Sequence, residues 1–190
     1  KTLFPYTTLF RSGDIKVQDV DGNGVITTDD RIIYSQRPDV TFGFNNTFNY
    51  KGFDLSVFLY ARLGQWIAYD YNTTYRINAL ENGGNVDYWT PENPTNAFPR
   101  PNKSKSYTQV TYYSTLKYED GSFFKIRDIT LGYTFKPELL KHLNLSRLRV
   151  YATAKNFFTF SKIDNYDPEQ GGSISFPMTK QLVFGLNVEF

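Results

Sequence analysis

The chain has 190 residues, 21 Lys and Arg against 19 Asp and Glu for a formal net charge of +2, a single histidine and no cysteine. That balance gives no strong basic field for nucleic acid, and one histidine without cysteine lacks the parts for a zinc site or a Cys-His nucleophile pair. Aromatic residues make up 18% of the sequence, yet no apolar run approaches the ~18 residues of a membrane helix, so any membrane crossing must be made by strands.

In chain order, residues 1–12, Lys1-Thr-Leu-Phe-Pro-Tyr-Thr-Thr-Leu-Phe-Arg-Ser12, do not fit the strand pattern that follows. They read as a non-native, assembly-derived segment, and 13–190 as the folded part. Next comes Asp19-Val-Asp-Gly-Asn-Gly-Val-Ile-Thr-Thr-Asp-Asp30. It sets Asp19, Asp21 and Asn23 at loop positions one, three and five, Gly24 at six, the Val25 carbonyl at seven and Asp30 at twelve. A hard cation such as Ca2+ takes six to eight oxygens, and this spacing wraps short carboxylates around one while Gly24 permits the sharp turn. The usual twelfth residue is Glu; Asp30 is shorter, as in dockerin-like loops. The plainer alternative is a solvated Asx and glycine turn that binds nothing.

Val40 to Tyr50 then places Val40, Phe42, Phe44, Phe48 and Tyr50 on one face, with Asn46 the polar intruder. Phe53, Leu55, Val57, Leu59, Ala61 and Leu63 form the apolar face of a second strand, opposite Asp54, Ser56, Tyr60 and Arg62. Only Lys51-Gly52 separates the two, a tight hairpin. The segment from Gly64 to Ser122 is a long connection rich in Asn, Pro and Tyr, with room for short strands of its own or a helix near Tyr75 to Glu81. A third strand, about Phe123 to Lys136, has Ile129, Leu131, Tyr133 and Phe135 in register. Lys125 and Arg127 share that face, which predicts either a bulge or a position above the bilayer.

Leu148, Val150, Ala152, Ala154, Phe158 and Phe160 make a fourth strand, with Arg147, Arg149, Thr153 and Lys155 turned the other way. In the last segment, Leu182, Phe184, Leu186, Val188 and Phe190 alternate with Gln181, Gly185, Asn187 and Glu189, and Val183 is the one apolar exception. A tilted membrane strand needs roughly 9–11 residues, so this segment is predicted to be the closing strand of a β-barrel. Connections alternate short and long, as the periplasmic turns and outer loops of outer-membrane barrels do. That places the carboxy terminus at the periplasmic side. Arg62, Arg147, Arg149 and Lys155 then face the lumen, since a charge on the lipid side costs about 2–4 kcal/mol at mid-bilayer; their acid partners are expected in a plug outside this chain. Five strands leave two open edges, so the chain alone is not expected to close a barrel.

Enzymatic readings are thin. His142 lies in the Leu139 to Leu143 turn, where an exposed or interfacial role is the simple reading. Asp29 with Asp30, or Asp164 with Asp167, could serve glycoside hydrolysis only at a set separation, and loop acids are common. Trp66 and Trp89 could stack on sugars or sit at a membrane rim equally well. No residue is assigned a catalytic or cofactor-binding role.

Five ordered stretches carry a resemblance: Tyr88-Trp-Thr-Pro-Glu-Asn-Pro94, Glu119-Asp-Gly-Ser-Phe-Phe-Lys-Ile-Arg-Asp-Ile-Thr-Leu-Gly-Tyr133, Leu148-Arg-Val-Tyr-Ala-Thr-Ala-Lys-Asn-Phe-Phe158, Tyr166-Asp-Pro-Glu169 and Phe184-Gly-Leu-Asn-Val-Glu-Phe190. Together they resemble the carboxy-terminal part of the SusC/RagA family, TonB-linked outer-membrane transporters of Bacteroidota. The resemblance implies the all-β end of an antiparallel transmembrane barrel of about 22 strands, with signal peptide, TonB box, plug and earlier strands outside this chain. It implies import of glycans or other oligomeric nutrients such as peptides, outer-membrane lipid around the barrel, a TonB complex reached through the amino-terminal region, and a SusD-like surface lipoprotein as partner. The alternative from another class is a soluble, secreted calcium-binding β-module for adhesion or carbohydrate binding.

Overall fold

In the computed structural model the described residues are 12–74, 85–102 and 113–190. Of the segment 1–12 only Ser12 is therefore described, and the helix expected near Tyr75 to Glu81 lies outside the described residues. Among the described residues seven strands follow in order: β1 (Val40–Tyr50), β2 (Phe53–Leu63), β3 (Trp66–Ala68), β4 (Tyr118–Asp120), β5 (Phe123–Thr134), β6 (Arg147–Ser161) and β7 (Gln181–Glu189), with one short helix, α1 (Pro137–Leu140). The chain divides into two compact units, residues 1–34 with 67–119 and residues 35–66 with 120–190.

The second unit is a five-stranded antiparallel sheet in the order β1-β2-β5-β6-β7. Its register explains why alternation in the sequence was so regular. Phe42, Ala61, Phe124 and Phe160 stand in one cross-strand row; Phe48, Leu55, Leu131, Ala152 and Phe184 in another; Tyr50, Phe53, Tyr133, Val150 and Leu186 in a third. Every member of these rows is on the same face because side chains alternate with period two. Phe53 and Tyr133 pack at 4.6 Å between ring centroids, a contact of the kind that stabilises cross-strand pairs.

This apolar face is not a core. Phe184 is 73% exposed and Leu186 68%, and the neighbouring rows are also open. An exposed apolar surface of this extent is the mark of an interaction surface rather than of an ordinary exterior.

The hairpin between β1 and β2 turns on Lys51 (φ 46°) and Gly52 (φ 90°), both left-handed, which suits the twist of a two-residue connection. At the same end of the sheet, α1 runs on as a short 3-10 turn to Leu143 and stops at Asn144, whose φ is 51°. The long connections leave from the opposite end.

Arg127 is an extra residue. The β2–β5 register shifts between Phe58 and Leu59, and the β5–β6 register shifts between Ile126 and Asp128. Of the two expectations for Lys125 and Arg127 the bulge is the one realised. It moves Lys125 out of the parity of Ile129 and Leu131, so that Ile126 and Phe124 continue the apolar face instead. Asn156 on β6, with φ 59°, takes up the complementary irregularity.

Within the long connection, β3 and β4 pair with each other, and Tyr88 bridges Phe98. Around them Ile67 and Tyr69 are buried, while the Asn72 side chain donates to the Leu116 carbonyl (3.0 Å) and to Glu119 Oε1 (2.9 Å).

Candidate functional site

The other face of the sheet is polar, and its rows are as regular. Gly43, Tyr60, Lys125 and Thr159 share one; Asn45, Phe58, Asp128, Lys155 and Gln181 the next; then Thr47, Ser56, Thr130, Thr153 and Val183; then Asn49, Asp54, Gly132, Tyr151 and Gly185. The charges expected here are present, and each has a partner within the sheet. Arg149 Nε donates to Asp54 Oδ1 at 2.8 Å, Arg147 pairs with Glu189 at 3.2 Å and Lys155 with Asp128 at 3.8 Å. Arg62 Nε donates to the Tyr60 hydroxyl at 2.8 Å and its guanidinium lies over the same ring. All four cations thus find partners on this sheet.

The Arg149–Asp54 contact spans two strand spacings, from β6 to β2, and crosses β5 at Gly132. A Cβ at Gly132 would collide with both side chains. Here glycine supplies space rather than conformation. Gly185 does the same for the Tyr151 ring, over which the Arg149 guanidinium sits at 4.9 Å.

Lys125 has no exposed side-chain surface. Its ammonium bonds to Asp167 Oδ1 (2.8 Å), Asp167 Oδ2 (2.7 Å) and Glu169 Oε2 (2.8 Å), and Arg127 reaches Glu169 Oε1 at 3.0 Å. Both acids lie in the connection between β6 and β7. A buried cation needs such matching to offset its desolvation. The pattern of β5 alone hinted at something unusual at Lys125, but nothing in it named partners 42 and 44 residues away.

Of the predicted calcium ligands, Asp19, Asp21 and Asp30 come together, with a carboxylate oxygen of each within 4.8 Å of the others. Asp19 accepts from the Gly22 and Gly24 amides (2.7 and 2.8 Å). Asn23 donates through Nδ2 to Asp21 Oδ2 at 2.7 Å and accepts the Val25 amide at 2.7 Å. Asp30 closes the loop by accepting from the Val20 and Thr27 amides, each at 2.7 Å. Those two amides, Thr27 first, hold its carboxyl below the usual carboxylate range. Gly24 has φ 82° at the turn. The three carboxylates offer the hard oxygen donors that Ca2+ prefers.

The carboxylate pairs weighed for hydrolysis have other commitments: Asp30 to loop closure and Asp167 to Lys125. Asp87, which no sequence motif singled out, accepts from the Thr95 hydroxyl (2.5 Å) and the Asn93 amide (2.7 Å), and both bonds hold its carboxyl below the usual range. These bonds brace the Trp89-Thr-Pro-Glu-Asn-Pro94 turn, where Thr90 and Asn93 exchange backbone bonds at 3.1 Å. Trp89 packs its ring against Gly13.

Comparison with known proteins gives a consistent set. No family model matches the chain. The TonB-dependent receptor P3 of Formosa agariphila is 31% identical over a 215-residue alignment covering 98% of this chain and 20% of that receptor. The TonB-dependent receptor SusC of Bacteroides thetaiotaomicron is 31% identical, covering 90% of this chain and 17% of SusC. Among solved structures, the RagAB peptide transporter superposes with a TM-score of 0.69 at 26% identity, over 90% of this chain and 20% of that one. The RagAB importer in its open-open state gives 0.63 at 28% identity, over 91% of this chain and 20% of that one. The chain thus spans about one fifth of the length of the relatives it matches.

Proposed function

We infer that this chain, similar along nearly its whole length to TonB-dependent receptors of the SusC and RagA kind, forms a stretch of the wall of an outer-membrane importer. The observation that carries this reading is the two-faced sheet. One face is a continuous run of exposed Phe, Leu, Val and Tyr, as lipid demands, and the other holds its charges in pairs, as a wet lumen allows. Both outer strands, β1 and β7, have one free edge within the sheet. In hydrocarbon such edges must be paired, because unmet backbone groups cost several kcal/mol each, so further strands of a larger barrel, about 22 in all, are part of the proposal.

The cargo proposed is an oligomeric nutrient, a glycan first, delivered with a SusD-like surface lipoprotein and driven through TonB. RagAB, named as a peptide transporter, makes peptide the competing cargo. In this reading the short turns and the carboxy terminus face the periplasm, and the connections 64–122 and 162–180 leave the strands at the outer rim. The test is uptake of labelled oligosaccharide by cells carrying the complete protein, with and without a functional TonB. TonB-dependent uptake supports the reading, while TonB-independent binding alone, with migration in gels unaffected by boiling, would overturn it.

We also propose that Asp19, Asp21, Asn23, the Val25 carbonyl and Asp30 hold Ca2+ on the outer side, where the ion stiffens a loop. Titration of the complete protein by calorimetry should show a site in the range of extracellular modules, roughly 10⁻⁴–10⁻³ M. Asp21→Ala should abolish it. Equal heats for the two proteins would reduce the segment to a solvated turn.

A further inference from the structure

The clasp around Lys125 has a consequence for the loop that supplies its acids. The connection between β6 and β7 lies outside the sheet, yet its Asp167-Pro168-Glu169 turn is the best-anchored part of it. Pro168 is fully buried. Asp167 caps a 3-10 turn over Pro168–Gln170 by accepting the Glu169 amide at 3.0 Å, and the turn ends at Gly171 with φ 67°. The ammonium of Lys125 has three donors, and three carboxylate contacts meet them. Arg127 occupies the remaining Glu169 oxygen. Lifting the turn would leave a buried cation and two carboxylates to be rehydrated together, which is a heavy penalty. The bulge at Arg127 is what makes this possible, because without it Lys125 would point to the apolar face.

We infer that Lys125 and Arg127 are positioning residues: they clasp Asp167-Pro168-Glu169 onto the polar face, so the 162–180 connection is a fixed part of the barrel's inner wall and not a movable flap. The inference rests on the importer reading above. A cleft of about 290 Å³ lies along this connection, bordered by Asn156, Thr159, Asp164, Tyr166 and Lys180. Asn156 Oδ1 is buried and lacks a hydrogen-bond partner among the described residues, so the polar groups that cargo would meet along the cleft are those of Thr159, Asp164, Tyr166 and Lys180. The clasp keeps the shape of that cleft constant during import.

The test uses the complete protein in cells, with a specific protease site inserted between Gly171 and Gly172. The unaltered clasp should protect the site. Lys125→Met should raise the cleavage rate at least ten-fold and the KM for uptake several-fold, with the maximal rate within two-fold and the surface level unchanged. Lys125→Arg, which keeps the charge, should fall between. Glu169→Gln frees Arg127 but spares the Lys125–Asp167 contacts, and decides the matter by the same two readouts should Lys125→Met fail to assemble. Unchanged cleavage and unchanged KM in the assembled variants would overturn the clasp. Absence of uptake by the unaltered protein would instead strike the importer reading, with cleavage still reporting on the clasp.

Discussion

Gly132 shows how much one missing methyl can decide. Arg149 reaches Asp54 only because nothing stands on β5 between them. Gly132→Ala inserts a carbon into that path, and overpacking of this kind costs typically about 1–3 kcal/mol. Denaturant titration of the detergent-folded complete protein should show a loss in that range, larger than for Ala replacing the exposed Asn187. Equal midpoints would mean the ion pair contributes nothing. At this scale the sequence was least informative. It placed Arg62, Arg147, Arg149 and Lys155 on the correct face, since parity along a strand is a local property. Their partners depend on register between strands, and Asp54 and Arg149 are 95 positions apart. The convergence of Asp19, Asp21 and Asp30 was legible, because the loop that gathers them is contiguous.

Strands are the elements the sequence wrote most clearly. β1 and β2 run as expected from Val40 to Tyr50 and from Phe53 to Leu63, because a two-faced strand between an apolar and a wet surface must alternate strictly. β3 and β4 were not located: three residues are too few for a period to show. The bulge was readable as a break in parity at Lys125 and Arg127, and it sets a sharp expectation. Deleting Arg127 joins Asp128 directly to Ile126 and restores simple β2–β5 pairing, with Ile126 still beside Leu59 on the apolar face and Lys125 still beside Tyr60 on the polar one. The shortened protein should therefore still reach the membrane, as measured by surface labelling; loss of surface protein would mean that Arg127 is not the extra residue. A second expectation concerns the corner between β4 and β5. The Ser122 hydroxyl, with Lys162, lowers the Asp120 carboxyl to about 2. A lowered value means the carboxylate is favoured by the fold. Its contribution is fully present above the ordinary range near ~4 and is lost as pH falls through about 2. Exchange of the Ser122 amide, which donates to Asp120 Oδ1 at 3.0 Å, should stay slow down to about pH 3, and Asp120→Ala should remove that protection.

For the molecule as a whole, the two faces make opposite demands on the same substitution. Leu186→Arg puts a charge among Val150, Tyr133 and their row, at up to about 2–4 kcal/mol toward mid-bilayer, and should sharply reduce assembled protein. Asn187→Arg, one residue on, faces the polar side and should assemble normally; heat-modifiable migration of the two variants separates the cases, and equal yields would invert the face assignment. Lengths of connection carry a different message. β1 joins β2 through two residues, and β5 joins β6 through 135–146, but β2 meets β5 only after 64–122 has been spanned. Closing a chain costs about 0.6 kcal/mol for each doubling of the loop, so that last junction carries roughly 1.4 kcal/mol more entropy loss than the β5–β6 turn. Hairpins with short turns form in about 1–10 μs. The order of events is thereby biased: a β1–β2 ribbon and a β5–β6–β7 ribbon arise as separate prefabricated pieces, and their joining along the β2–β5 seam is the step that waits.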